Sequence, residues 1–388
     1  MARRQSGVAA VPYWRLSGFY FFYFAVVGLY MPFWPLYLDS LGLDAKAIGM
    51  FFTVTAAMRI VAPGIWGWLA DHRGRRMVII RLALALAVVI FTGMALTQSF
   101  PLLLLLGGVF GFFWTASLPQ FEATTLNHLG DSSHAYTRIR MWGSIGFILM
   151  VFILGRYFEF RPITQLPWLI VMALTACLLN SLVIPERATG HLPLAGGSLV
   201  TILKKPPVIA LFVICTLMQF SHAPYYAFYS IYLEDAGYSK TWIGALWGLG
   251  VVAEIGVFVV MGRLIRWLGL RRLLMASLLL AGLRWWMIGR FVGDVYLLIA
   301  AQVMHAATYG VYHASLIQFI HHYFPGRFQG RGQALYSSLS FGLGIALGSF
   351  ASGMLWDAAG PYPTFLMASL AALVGFILCW KYVEPVSK

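Results

Sequence analysis

Long apolar runs alternate with short polar clusters along the whole chain. Cutting at the clusters of charge, Pro and Gly leaves twelve runs, near 16–38, 46–69, 77–97, 101–126, 137–157, 166–184, 207–233, 241–265, 272–290, 295–320, 332–355 and 362–381. Each approaches the roughly 20 apolar residues that a helix needs to cross a bilayer core. Within a run the apolar residues are continuous rather than alternating, which excludes a lipid-facing β-barrel. Helices are then the only other structures that satisfy backbone groups in lipid. The pattern predicts an all-α membrane protein of twelve transmembrane helices.

The polar connections repeat. Residues 67–76 (GWLADHRGRR) lie between the second and third runs, and a degraded form, 262–272 (GRLIRWLGLRR), returns 195 positions later. Each holds two Gly seven residues apart and ends in a basic pair. The same offset aligns 30–49 (YMPFWPLYLDSLGLDAKAIG) with 225–244 (YYAFYSIYLEDAGYSKTWIG), identical at seven of twenty positions. The longest connection, 185–207, is central, polar and basic. Residues 1–184 therefore read as an N-terminal six-helix bundle, 185–207 as a cytoplasmic linker and 208–388 as a C-terminal six-helix bundle. Parallel repeats of six helices, related by an axis along the membrane normal, are a transporter architecture.

Composition agrees. The 388 residues are 60% hydrophobic and only 10% charged, with a mean hydropathy of +0.79, too few charges for the surface of a soluble domain. A net charge of +14 would suggest nucleic acid in a soluble protein, but here the basic residues gather in alternate loops. With the N-terminus inside, 20 of the 27 Lys and Arg fall on inner segments and 5 on outer ones, while Arg59 and Arg284 lie within spans. That is the positive-inside bias, so no nucleic-acid partner is expected. Both termini are expected in the cytoplasm of a bacterial inner membrane. The run after Arg3 and Arg4 lacks a small-residue cleavage site, so it reads as a first span and not a removed signal. Cys177, Cys215 and Cys379 sit in separate runs with no disulfide or metal spacing. No nucleotide-binding loop, nucleophile elbow or metal-ligand set occurs, so neither an enzyme nor a cofactor is expected. His321 and His322 read as a solvated helix end.

Residues 67–76 match every fixed position of G-x-L-A-D-x-x-G-R-R, the loop between helices 2 and 3 of the major facilitator superfamily. With twelve spans and the second copy, the whole chain resembles that superfamily. His222-Ala223-Pro224-Tyr225-Tyr226, Gly250-Val251-Val252-Ala253-Glu254, Arg284-Trp285 and Val303-Met304-His305 further resemble the phenylpropionate permease group, which is related to lactose permease and nucleoside symporters. The resemblance implies two pseudo-symmetric six-helix bundles and secondary transport by alternating access. It also implies a conformational latch at Gly67, Asp71, Gly74, Arg75 and Arg76, with Asp71 and Arg75 locking neighbouring helix ends. A loop that only fixes topology is the plainer alternative. The second copy has Arg266 in place of Asp71, so its latch is expected to be weaker or absent.

Several residues are candidates for the transport path. Arg59 and Glu254 lie near the centres of spans 2 and 8, separated by the repeat offset of 195. Each would cost about 2.5–3.5 kcal/mol or more facing lipid, so both must face a cavity or a partner. Arg59, together with Arg284 in span 9, suits an anion. Glu254 suits a proton, because a carboxyl group can take one up and release it. A static bridge between the two is the alternative. Glu122 and Arg140 resemble an acid and an Arg that hold substrate in lactose permease, and a structural pair is the alternative. His222, Tyr225, Tyr226 and Tyr229 fall at i, i+3, i+4 and i+7 on one helix face, either a cavity wall for an aromatic ring or a packing seam. Arg284, His305, Tyr309, Tyr312 and His313 add polar groups in spans 9 and 10. The positions of Arg284 and His305 belong to the proton network of lactose permease, but Thr308 stands where its next acid would be, and Glu254 is displaced by about one turn. His313 reads first as a satisfied core residue. The expected function is proton-coupled uptake of a small aromatic carboxylate by a monomer in a lipid bilayer. A drug or metabolite exporter, or a nucleoside or sugar symporter, shares these features. A membrane sensor or embedded enzyme has less support, since the chain offers no output domain and no catalytic set.

Overall fold

The computed structural model describes residues 11–130, 135–187 and 199–385, apart from the side chains of Asp71, Arg73 and Arg327. Twelve helices are long and apolar enough to cross a membrane: α1 (Tyr13–Ser40), α2 (Ala45–Ala70), α3 (Arg76–Ala95), α4 (Phe100–Leu129), α5 (Tyr136–Phe160), α6 (Ile163–Leu182), α7 (Pro206–Asp235), α8 (Lys240–Leu268), α9 (Leu270–Arg290), α10 (Val295–Tyr323), α11 (Gln329–Ala359) and α12 (Pro361–Tyr382). Each predicted run falls on one of them, and no strand occurs among the described residues. Most helices exceed the run by a few residues, because polar caps and interfacial residues continue the helix past the apolar stretch.

The 195-residue repeat is visible in the backbone. Gly42 and Gly237, and then Gly74 and Gly269, take positive φ of 77°, 87°, 64° and 76°, a region open to Gly at little cost. Between them, α2 starts at Asp44, whose carboxylate accepts the Ala47 N–H at 2.7 Å, and α8 starts at Ser239, whose hydroxyl accepts from Trp242 at 3.3 Å. These are equivalent N-caps. Past its apolar span, α2 runs on to Arg73 and ends in the left-handed turn at Gly74.

The two six-helix bundles repeat one packing scheme. In the first, α1 packs on α5 and α6, α2 on α4, and α3 on α4 and α6; in the second, α7 packs on α11 and α12, α8 on α10, and α9 on α10 and α12. Glycines permit the closest approaches. A Cβ at Gly146 would strike the Phe21 carbonyl, and one at Gly348 would meet the Phe220 carbonyl at 2.5 Å. Across the bundles, α2 meets α11 and α5 meets α8. These contacts crowd one end. Gly49 abuts the Ser349 carbonyl and Gly244 the Val151 carbonyl, whereas Gly64, Gly67 and Gly256 nearer the other end of α2 and α8 have nothing within 4 Å. The bundles therefore close at the end opposite residues 67–76 and part toward those residues.

Of the central connection, residues 188–198 lie outside the described residues. Its beginning is fastened to the first bundle. The Met77 N–H donates to Glu186 Oε2 at 2.9 Å, at the start of α3, and Arg187 donates to the His128 carbonyl at 2.8 Å. A short helix, Leu199–Leu203, precedes α7.

Candidate functional site

Where the bundles part, a cleft of about 750 Å³, counted to its open mouth, lies against the first bundle. Its walls come from α1 (Tyr30), α2 (Phe52, Thr55, Arg59) and α4 (Phe110, Trp114, Thr115), with Tyr226 of α7 and Ile345 of α11 across the divide. The lining has the usual make-up of a small-molecule site, aromatic with a few polar groups. Arg59 is the cationic side chain among these wall residues. The aromatic wall is rigid, because Trp114 stacks on Tyr23 with centroids 4.2 Å apart and planes within 5°, and Phe110 stacks on Trp114.

Four predicted cleft groups separate in space. Tyr226 faces the cleft. His222, Tyr225 and Tyr229 are sealed inside the second bundle at 0–1% exposure. The stripe at i, i+3, i+4 and i+7 therefore contributes one ring to the cleft and three to packing. Tyr225 stacks on Tyr229 and lies 4.5 Å from Trp247, while the His222 ring meets Trp285 edge-on at 4.8 Å.

Beside those rings is a polar cluster centred on Arg284, which has no exposed surface. Its Nη1 donates to His305 Nδ1 and to Thr308 Oγ1, both at 3.1 Å, and its Nη2 donates to Gln302 Oε1 at 3.4 Å. Tyr225 and Trp285 present ring faces to the guanidinium at 4.6 and 4.4 Å. Among the described residues, no carboxylate lies within 4.0 Å of Arg284. Gln302 completes the cluster, accepting from the Tyr225 hydroxyl at 3.0 Å and donating to Tyr229 at 2.7 Å. Because a guanidinium only donates, His305 Nδ1 must accept, which leaves the ring proton on Nε2. That nitrogen lies 3.8 Å from Glu254 Oε2. A wide turn at Ala306–Val311 follows His305 in α10, as π-turns often do at functional positions. Tyr309, within that turn, stacks on His305 at 5.3 Å and remains partly exposed. Tyr312 is buried beside Ser340, and His313 accepts from or donates to the Tyr336 hydroxyl at 2.9 Å.

Arg59 and Glu254 form no ion pair within 4.0 Å in this conformation. The charge that acts on Glu254 from the first bundle is Arg140. Glu122 faces Tyr136 and Arg140, yet no ion pair within 4.0 Å joins it to Arg140. The Arg140 guanidinium lies instead over Phe24 at 4.0 Å and Tyr20 at 5.6 Å. At the signature loop, Arg75 is exposed and Arg76 donates to Gln120 at 2.8 Å, tying α3 to α4. The Asp71 side chain lies outside the described residues, so the expected contact with Arg75 does too.

The sequence reading missed Tyr30, Phe110 and Trp114 in the cleft and Gln302 in the polar cluster. One signal pointed to Tyr30: it is the repeat mate of Tyr225. Gln302 is one polar residue in an apolar run, and only packing reveals its three partners.

The model of the MFS_1 like family matches residues 13–367. A protein of Escherichia coli (strain K12) named "Probable 3-phenylpropionic acid transporter" is 28% identical over 382 residues, covering 95% of this chain and 97% of that protein. The maltose permease of Geobacillus stearothermophilus is 24% identical over 368 residues, covering 93% and 92%. Among solved structures, the nucleoside transporter NupG shares the fold with a TM-score of 0.79 at 15% identity, over 95% of this chain and 99% of that one.

Proposed function

The chain belongs to the MFS_1 like family, transporters of the major facilitator superfamily, and on that premise we propose that it takes up a small aromatic carboxylate together with a proton. Residues 1–184 and 208–388 rock against each other about the 185–207 connection, in a bacterial inner membrane with both termini inside. The monomer suffices, because the cleft lies within one chain. The observation that carries this reading is Arg59 in a cleft walled by Tyr30, Phe110, Trp114 and Tyr226. A guanidinium suits a carboxylate in two-pronged geometry, and flat ring faces suit an aromatic body. The similarity to the "Probable 3-phenylpropionic acid transporter" supports the same substrate class.

Proton coupling falls to Glu254, partly exposed at the edge of the second bundle. Arg284 is buried, and its Nη1 and Nη2 are engaged by His305, Thr308 and Gln302. Its role is to hold His305 toward Glu254, and a substrate carboxylate has no route to it in this conformation. Moving one proton with one monoanion carries no net charge against an inside-negative potential.

Uptake into proteoliposomes under an imposed pH gradient tests the reading, with 3-phenylpropionate, a nucleoside and maltose as substrates. Gradient-driven uptake of the aromatic acid is expected. Arg59→Gln should raise its apparent KM by about ten- to a hundredfold, the value of a hydrogen bond to a charged group. Uptake of maltose or the nucleoside alone would overturn the aromatic-acid reading. That second reading, a sugar or nucleoside symporter, draws on Glu122 and Arg140 and on the maltose permease similarity. Gradient-driven movement outward would assign an exporter instead.

A further inference from the structure

The closed end of the molecule carries the same arrangement twice. Near the end of α11, Asp357 reaches across to the other bundle. Its Oδ1 accepts the Ala45 N–H at 3.2 Å and its Oδ2 the Lys46 N–H at 3.1 Å. Both donors belong to the first turn of α2, where no intrahelical acceptor exists. Near the end of α5, Glu159 does the same in the opposite direction. Its Oε2 accepts the Thr241 N–H at 3.2 Å and the Thr241 hydroxyl at 3.1 Å, in the first turn of α8. Each helix already has a cap from its own chain segment, Asp44 on Ala47 and Ser239 on Trp242. The acids from across the divide take other donors. Each first turn is thus held by one residue from each bundle.

The backbones behind these contacts are in van der Waals touch, which brings the acids within reach. A Cβ on Gly353 would meet the Ala45 carbonyl at 2.7 Å, and one on Gly155 would meet the Lys240 carbonyl at 2.7 Å. The acid follows its glycine by four residues in both helices, one turn along the same face. The donor segments are repeat mates, Lys46 and Thr241 being 195 residues apart. The two contact sets are equivalent although Asp and Glu differ in length and the surrounding sequences have diverged.

We infer that Asp357 and Glu159 are paired outer-gate latches, each a carboxylate of one bundle capping the first helix turn of the other, made when the outer end is closed and broken when it opens. The inference rests on the alternating-access reading above. It does not depend on the substrate. A carboxylate at a helix N-terminus gains from the positive end of the macrodipole as well as from its hydrogen bonds. Opening the gate replaces that acceptor with water, so each latch biases the equilibrium toward the outward-closed form. The exposed setting of both acids sets the size of the bias at about two- to fivefold per latch.

The experiment uses the full chain in membranes with a Ser349→Cys reporter. Ser349 lies in the α2–α11 contact at 1% exposure, and the three native cysteines are buried. The readout is the rate of labelling by a membrane-impermeant thiol reagent added from the outer side. Asp357→Asn and Glu159→Gln should each raise the rate by about two- to fivefold, and the double variant by about the product. Asp44→Ala is the control, since it removes a cap of similar type that stays within one bundle. It should lower thermal stability without raising labelling. Asp357→Glu should restore slow labelling at least in part. Unchanged labelling in both neutral variants, or an equal rise with Asp44→Ala, would overturn the latch. Raised labelling in a protein that moves no aromatic acid would uphold the latch and sink the substrate proposal.

Discussion

Glu254 and Arg284 show how two intramembrane charges of one bundle take different parts. Glu254 keeps some exposure toward the divide and meets His305 Nε2 at 3.8 Å, whereas Arg284 has none and is held by three neutral acceptors and two ring faces. A buried cation without a carboxylate is costly, and the surrounding acceptors and rings offset that cost in place. Removing the carboxyl at 254 should separate coupling from transport. Glu254→Gln should abolish accumulation driven by a pH gradient while leaving exchange of labelled for unlabelled substrate. Full accumulation by the variant would show that another group carries the proton. The depth of 59, 254 and 284 in apolar runs marked them as groups that must avoid lipid. Which of them face the cleft was not, because a run of apolar neighbours does not say which way a helix is turned.

Helices show the same division. Their existence followed from twelve apolar runs, and the repeat aligned Gly42 with Gly237. The faces of α7 did not follow. Its polar tips at 222, 225, 226 and 229 share a helical face by spacing, but Trp247 of α8, Trp285 of α9 and Gln302 of α10 cover three of them, and of the four Tyr226 reaches the cleft. Close packing depends on particular glycines. Gly146→Ala would drive a methyl group into the Phe21 carbonyl, so α1 and α5 would have to move apart. That should cost about 1–3 kcal/mol, as overpacking usually does, and lower the thermal unfolding midpoint of the purified protein. Gly64→Ala, on an open stretch of α2 with nothing within 4 Å, should leave the midpoint unchanged or raise it, because Ala favours helix. Equal losses from the two would refute the packing argument.

At the scale of the molecule, the two halves share a frame and differ in what fills it. The first bundle holds the aromatic cleft with Arg59, and the second holds the Arg284–His305–Glu254 cluster, although Arg59 and Glu254 occupy repeat-equivalent positions. The loops at the parted end are unequal too. The first has Asp71, and its copy has Arg266 at the corresponding place. Closing that end should therefore depend on the first loop. Asp71→Asn is expected to slow the transport cycle, read as uptake rate at saturating substrate, and Arg266→Gln much less. Equal slowing by both would refute the asymmetry.

The sequence alone determined the twelve spans, the internal duplication and the superfamily, because each is written in local pattern: apolar length, a 195-residue offset and a ten-residue loop. It also marked Arg59 and Glu254 as residues that lipid would not tolerate. Tertiary structure decided which end is closed, that three rings of the α7 stripe are core, and that Arg284 and Glu254 are linked through His305. It also brought Asp357 and Glu159 to helix ends 312 and 82 residues away in sequence. Those facts depend on helix rotation and on contacts between the bundles. No local pattern encodes either, because the same apolar run packs equally well in lipid or against another helix until its neighbours are fixed.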